Sequence, residues 1–284
     1  MAISQKVTSR ITSGLKAFQS VLTTAKQRDI SESDTVVIIG DMLSDMLGYD
    51  KYQNITTEYA IRGTYVDLAV RVDNRIRFLV EAKAIGVELK DAHVKQAVDY
   101  AANEGIDWVV LTNAAEWRIY KVQFSKPIDK TLLCDFDVLS AGPRNAEIIE
   151  CFGNLSLECF SRGSMTELLE QKQITSKFAL AAVLLSDTIL DEVRRELRRI
   201  SPGLKVDVDY LKSVLTNDVI KRDLLESEEG EAAAATIKKL QRALAREKKK
   251  TDDGAVEKDL PITTVTAAIT QQPNPTVAPA QPVK

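Results

Sequence analysis

The chain has 284 residues, of which 44% are hydrophobic and 28% charged, with a formal net charge of −3. This is a globular composition, long enough for one sizeable core plus an appendage, and the slight acidity excludes a uniformly basic nucleic-acid binder while leaving room for a local basic patch. The three cysteines, Cys134, Cys151 and Cys159, have no C-x-x-C spacing; they suit a reducing compartment and read as small buried hydrophobes, not as a disulfide framework or a zinc site.

The opening residues, MAISQKVTSR, lack the apolar core of a signal peptide. The most apolar run, Phe178 to Leu185, is far short of the ~20 residues that span a bilayer. A cytoplasmic protein without a membrane segment is expected. Val7, Ile11, Leu15, Phe18 and Leu22 recur at helical spacing, which predicts an N-terminal docking helix within residues 1–30. In SESDTVVIIGDMLSDMLGYD, Ser31 and Ser33 are N-cap candidates. Val36, Ile39, Leu43 and Leu47 form an apolar stripe, and Gly48 is a C-terminal stop.

Strand signals follow at Ile55 to Ile61, Tyr65 to Val72 and Arg75 to Ala84, with Asp73-Asn74 marking a tight turn between the last two. A helix ending near Gly105 comes next, then a buried strand in DWVVLTN and a last strand in EWRIYKVQF. Hairpins followed by a helical crossover predict an α/β (α+β) fold, a mixed sheet flanked by helices, over residues 31–142. Residues 143–250 carry helical spacing throughout. Residues 251–284, rich in Thr, Pro, Ala and Gln, are expected to be disordered.

The segment FLVEAKA poses a chemical question. Period-two alternation sets Glu81 and Lys83 on one face of an apolar strand. A wet edge strand or a structural ion pair accounts for them, since charges inside a sheet are costly unless paired or bound to metal. In the hairpin, however, Asp67, bracketed by Val66 and Leu68, lies across from them. Two carboxylates side by side repel and raise one another's proton affinity. A divalent cation removes that conflict, and carboxylate oxygens are natural Mg²⁺ ligands. Lys83 is then placed to orient or help deprotonate an attacking water and to stabilise charge on a phosphate. On the following helix Gln96 and Tyr100 share a face at i, i+4 spacing, with His93 nearby. A packed helix with a half-buried tyrosine explains this pair equally well, and His93 reads as an exposed helix residue.

Asp67, then Glu81-Ala82-Lys83, then Gln96-x-x-x-Tyr100 resembles the PD-(D/E)XK nuclease superfamily, in particular the N-terminal nuclease domain of type I restriction enzyme R subunits. The flanking LGYD, TEYAI, QAVDYA and VVLTNAAEWRIY segments agree, over about residues 31–125. The resemblance implies a restriction-endonuclease-like sheet and a Mg²⁺-dependent deoxyribonuclease acting on DNA, with Mn²⁺ able to substitute, alone or with other subunits of a restriction or defence system. It implies that Asp67, Glu81 and the Ala82 carbonyl bind the metal, that Lys83 positions the water, and that Gln96 and Tyr100 organise the site or touch DNA. It also implies an acid on the first helix, for which Asp41 is the candidate, with Asp45 one turn on and Glu58 on the first strand as a second choice. The chain departs from the family in having Val66 in place of the proline. It contains no G-x-x-x-x-G-K-[ST] stretch, so no P-loop motor is expected here.

Candidate phosphate-contacting cations near the site are Arg62, Arg71, Arg75, Arg77, Lys90, Lys95 and Lys121, with RRELRR (194–199) and REKKK (246–250) further along. RRELRR reads best as a charged helix face. A non-catalytic nucleic-acid or partner-binding module on the same fold is the alternative reading. A third reading makes the C-terminal helices a homo-oligomerisation element.

Overall fold

The computed structural model describes residues 3–61 and 64–252; Arg62 and the tail from 253 onward lie outside them. Helix α1 (Gln5–Gln27) starts where the Ser4 side chain accepts from the Val7 N–H, and α2 (Glu32–Asp41) starts in the same way at Ser31, which accepts from Asp34 N–H. Helix α2 runs into a π-helical turn, Met42–Met46. That wider turn buries Met42, Leu43, Met46 and Leu47 together, two methionines more than the stripe read from the sequence. Gly48, at φ +87°, ends it.

Six strands follow in one sheet: β1 (Ile55–Ile61), β2 (Thr64–Val72), β3 (Arg75–Ala82), β4 (Trp108–Thr112), β5 (Glu116–Gln123) and β6 (Asp129–Asp137). They lie side by side in chain order. All neighbours are antiparallel except β3 and β4, which are parallel and joined by the crossover helix α3 (Asp91–Glu104). Asp73 and Asn74 both have positive φ (52° and 59°), the backbone that a two-residue hairpin with the strands' twist requires. The sheet is therefore mixed and helix-flanked, as the sequence predicts, but β6 is an addition. DKTLLCDFD shows no clean alternation, and β6 forms as the partner that closes the edge of β5.

The sheet buries both faces. On one, Leu79, Val109, Leu111 and Tyr120 pack under Val94, Ala97, Val98 and Ala101 of α3. On the other, Phe78, Val80, Val110, Trp117 and Ile119 meet α1, the α2 turn and helix α4 (Ala146–Leu155). Two short helices, α5 (Leu157–Phe160) and α6 (Ser164–Ile174), complete that side. The Arg10 guanidinium of α1 clamps the α2 turn to α5: it pairs twice with Glu158 (2.6 and 2.7 Å) and donates to the Met46 and Leu47 carbonyls. Tyr49, fully buried, donates from its hydroxyl to the Leu155 carbonyl at 2.6 Å. One compact unit thus runs from Met1 to Lys172. It exceeds the 31–142 segment at both ends, because the sheet's second face needs α1 and α4 to cover it.

Cys134 on β6 and Cys151 on α4 form a disulfide, with Cα atoms 6.4 Å apart. Both are buried, as expected of small hydrophobes, but their pairing corrects the expectation of unlinked thiols. Phe152, stacked edge-on against Trp117 and Phe136, seats α4 so that the two cysteines meet inside the core.

The second unit, Gln173–Lys284, is helical where described. It comprises α7 (Lys177–Leu184), α8 (Asp187–Ile200), α9 (Val208–Val214), which continues as a π turn over Leu215–Val219, α10 (Asp223–Glu226) and α11 (Glu228–Asp252). On α8, Arg194, Arg195 and Arg199 each pair with a carboxylate one turn earlier, as a plain charged helix face would. Of the REKKK cluster, only the Arg246 side chain is described, and it is exposed. Among the described residues no helix is long and apolar enough to cross a membrane.

Phe152 tests whether α4 is integral to the first unit. Phe152→Ala should cost about 3–5 kcal/mol. Urea unfolding followed by tryptophan fluorescence should show the loss in the transition that reports Trp117.

Candidate active site

The site grows from the place where β2 and β3 part. Their ladder ends at the pair Leu68–Val80. One step beyond, the Asp67 carboxylate replaces a backbone partner: its Oδ2 accepts the Ala82 N–H at 2.7 Å. On its other side β3 stays paired with β4 through Ala82 and Thr112, and the Lys83 N–H donates to the Thr112 carbonyl at 2.9 Å. Asp67, Glu81 and Lys83 are thereby held on one side of rigid backbone. Alternation with Ala69 and Leu79, both in the cluster under α3, places the two carboxylates on the α3 face.

Lys83 lies among oxygens. Its Nζ is 2.9 Å from Glu81 Oε1, 2.6 Å from the Ala82 carbonyl oxygen and 3.7 Å from Glu32 Oε2. Only 14% of the Glu81 side chain and 19% of the Lys83 side chain reach solvent. Burial pushes the proton affinity of Asp67 upward, against the Ala82 N–H and the Lys83 charge, which lower it; Glu32 and Glu58 add to the rise. Burial likewise raises Glu81, opposed by its bond to Lys83 and reinforced by Asp67 and Glu32. For Lys83 burial works against the charged form, but Glu81, Glu32 and Asp67 together outweigh it and the pKa rises. Lys83 is therefore an ammonium at neutral pH, a hydrogen-bond donor and not a proton acceptor.

The helix acid in this cluster is Glu32, not Asp41. Asp41 instead pairs with Lys51 at 2.6 Å, and Asp45 contributes to the same exposed ammonium. The reason is helical phase. Nine residues separate Glu32 from Asp41, which turns Asp41 about 180° around the axis of α2. Glu32 continues the Val36–Ile39–Leu43 stripe toward the N-terminus, so it faces the sheet. That phase is readable in SESD, where the acid serves as more than a first-turn charge. Glu58 stands opposite Asp67 on β1, where the register passes from Thr57–Leu68 to Tyr59–Val66. It holds φ +47°, a left-handed backbone that costs a glutamate of order 1 kcal/mol or more. Its charge reaches Asp67, although the side chain is exposed.

Gln96 and Tyr100 bond to each other across one turn of α3 (3.0 Å), with Gln96 exposed and Tyr100 packed against the cluster beneath the helix. They lie along the face that carries Asp67 and Glu81. His93 acts locally, since its Nδ1 accepts the Lys90 N–H at 3.2 Å and caps α3. Lys121 is engaged by Asp107 at 2.6 Å and sits over the Trp108 ring.

Among the described residues no group of three or more His, Cys, Asp or Glu side chains is close enough to enclose a metal ion. The donor set nevertheless fits Mg²⁺, which uses one or two carboxylates and leaves the remaining positions to water and phosphate oxygens. Asp67, Glu81 and the Ala82 carbonyl are such a set, with Lys83 as their present counter-charge.

Residues 38–132, from within α2 to within β6, match the family model described as type I restriction enzyme R protein N terminus. The match contains Asp67, Glu81, Lys83, Gln96 and Tyr100, and it supports the resemblance drawn from those residues. No curated protein and no solved structure gives a significant match to the chain.

The raised proton affinity of Asp67 has a consequence for stability. The folded state binds the proton more tightly than the unfolded chain does, so the ionised carboxylate is a net cost above its folded pKa. That cost disappears as pH falls through the folded pKa. In EDTA, Asp67→Asn should melt at a higher temperature than the wild type at pH 8, and the difference should shrink toward zero by pH 4. Calorimetric melts across that range check it; a lower melting temperature for the variant at pH 8 would contradict the assigned direction.

Proposed function

We propose that the protein is a Mg²⁺-dependent deoxyribonuclease, or the nuclease subunit of a restriction or defence system, working in the cytoplasm and hydrolysing DNA phosphodiesters. The observation that carries the reading is the convergence of Asp67, Glu81, the Ala82 carbonyl and Lys83 where β2 and β3 part. The family match over residues 38–132 supports the restriction setting.

On this reading Asp67, Glu81 and the Ala82 carbonyl hold the ion. When bound, Mg²⁺ supplies Lewis-acid stabilisation of charge on the phosphoryl oxygens. The chain's own residues do the rest. The carboxylates stay fixed because β3 is paired with β4 beneath them and Asp67 is tied to the Ala82 N–H, so little reorganisation is needed when a phosphate arrives. Lys83, held as an ammonium, donates to the attacking water and to the phosphoryl oxygen. It orients the water in line with the leaving oxygen and offsets the charge that develops as the new P–O bond forms and the old one breaks, the attacking water giving its proton to solvent and the leaving oxygen taking one from solvent. Gln96 and Tyr100 offer an amide and a hydroxyl for the DNA backbone along the same face. Exposed apolar side chains on the second unit, among them Leu180, Leu184, Ile200 and Val219, suit contacts with a second copy or another subunit.

A binding module without catalysis is the rival. What favours it is the position of Lys83, whose ammonium already satisfies Glu81 and the Ala82 carbonyl. Purified protein incubated with supercoiled, linear and single-stranded DNA in Mg²⁺ or Mn²⁺ decides between the two. Metal-dependent cutting should be lost in Asp67→Ala. Lys83→Ala should cut at least ~100-fold more slowly, the scale of removing one transition-state donor, while keeping its fold and most of its DNA affinity. Unchanged cutting by Lys83→Ala would sink the site assignment. Absence of cutting together with no heat of Mg²⁺ binding would favour the module.

A further inference from the structure

A second functional feature lies at the opposite end of the β2–β3 hairpin. Arg71, Arg75 and Arg77 line a cleft of about 420 Å³ together with Tyr59, Asn74 and the end of α3 at Glu104, Gly105 and Ile106. Glu104 is the one acidic residue of that lining, so three guanidiniums meet one carboxylate. Such an excess of cations in one concavity is unfavourable by itself and suits an anionic partner.

The cleft is built, not a chance meeting of surface charges. A register shift between Val70 and Arg71 leaves Arg77 of β3 as an extra residue opposite β2, while on the other side of β2 Asn54 extends the β1 pairing to Arg71. The Arg71 N–H donates to the Asn54 carbonyl at 2.7 Å, and the Asn54 amide donates to the Arg71 carbonyl at 2.9 Å. Beside this bulge the guanidinium carbon of Arg71 stands 5.9 Å from the centre of the Tyr59 ring. Across the turn at Asp73-Asn74, Arg75 and Arg77, both exposed, line the same cleft. Tyr59 and Ile106 belong to the cluster beneath α3, so the cleft opens on the α3 side of the sheet, the side that carries Asp67 and Glu81.

We infer that Arg71, Arg75 and Arg77 form a backbone anchor that holds the phosphates of duplex DNA several nucleotides away from the bond at the Asp67–Glu81–Lys83 end. This rests on the DNA reading above. Along the strands the separation is four residues from Asp67 to Arg71 and six from Glu81 to Arg75, about 13 and 20 Å. At 3.4 Å of rise per nucleotide on one strand, that is about four to six nucleotides. The exposed side of α3 at Gln96 spans the interval between the two ends. Guanidiniums presented from a hairpin contact phosphates without reading bases, so the anchor fixes register on the duplex and leaves sequence choice elsewhere.

The test is binding of a fluorescein-labelled 25-base-pair duplex to the full chain, in EDTA to prevent cutting, by anisotropy at several salt concentrations. Arg75→Gln/Arg77→Gln leaves the packed Arg71 in place. It should weaken binding on the order of tenfold and reduce the slope of log K against log[salt] by about 1.8, the value for two lost phosphate contacts. Arg75→Lys/Arg77→Lys, which keeps the charge, should retain the slope. Arg195→Gln/Arg199→Gln removes the same formal charge from α8 and should leave the slope unchanged. Wild-type binding with an unaltered slope in Arg75→Gln/Arg77→Gln overturns the anchor and leaves the nuclease reading standing. An equal loss in the α8 variant assigns the effect to net charge and also overturns the anchor. Failure of the wild type to bind duplex at low salt overturns the anchor and the DNA reading together.

Discussion

Asp67 and Glu81 bring negative charge into a place where little water follows, and one ammonium, Lys83, stands against them. Everything around the site answers to that constraint. A carboxylate half withdrawn from water needs donors, and the ladder ends early so that the Ala82 N–H can serve Asp67 instead of a backbone carbonyl. A half-buried ammonium needs acceptors, and Lys83 finds Glu81 and the Ala82 carbonyl within hydrogen-bond reach. Glu32 adds a third negative charge where two already face one positive charge. The fold favours the Lys83 ammonium but bears the two ionised carboxylates at a cost.

The stiffness that such a group requires comes from both faces of the sheet. Parallel pairing of β3 with β4 continues beneath Glu81 and Ala82 while β2 peels away, so the site sits on paired backbone and not on a loop. Phe78, Val80 and Ala82 alternate with Leu79 and Glu81, so the strand that presents the acid is itself locked by apolar contacts on its far side. Helix α1, far from the chemistry in sequence, covers that far side and is fastened by Arg10 to the α2 turn and to Glu158. Positioning Glu32 depends on the same fastening, because Glu32 begins the helix that the turn ends.

Much of this is legible in the string of residues alone. Period-two alternation locates β1 to β5, Asp73-Asn74 marks the hairpin, and the pairing of Asp67 with Glu81 and Lys83 follows from hairpin geometry. What escapes has physical reasons. β6 carries no clean alternation and is held by its long pairing with β5 and by the burial of Leu133 and Cys134. The cysteine pair depends on where α4 lands, a tertiary fact that spacing of 17 residues does not encode. Asp41 fits by helix membership and fails by helical phase, while Glu32 is hidden in a string that also supplies the N-cap. The bulge at Arg77 leaves no mark in the string RIRFLVEA, since it exists only in the register that β3 takes against β2.

The two ends of the β2–β3 hairpin differ in charge for a reason that links fold to function. Acids gather where the strands separate: Asp67 takes the backbone donor that the ladder has released, and Glu81 and Glu32 share the Lys83 ammonium. Arginines gather where the strands turn, because the turn and bulge expose long side chains that no core would accept. An extended polyanion laid along this face meets repulsion at the acidic end and attraction at the basic end. Its phosphate would approach Asp67 and Glu81 only with the help of a cation and of binding free energy gained elsewhere, which is the division of labour expected when remote contacts are used to overcome an unfavourable encounter at the reacting bond. The hydrophobic strands between the two ends hold their distance, and that fixed distance lets one end act on the other.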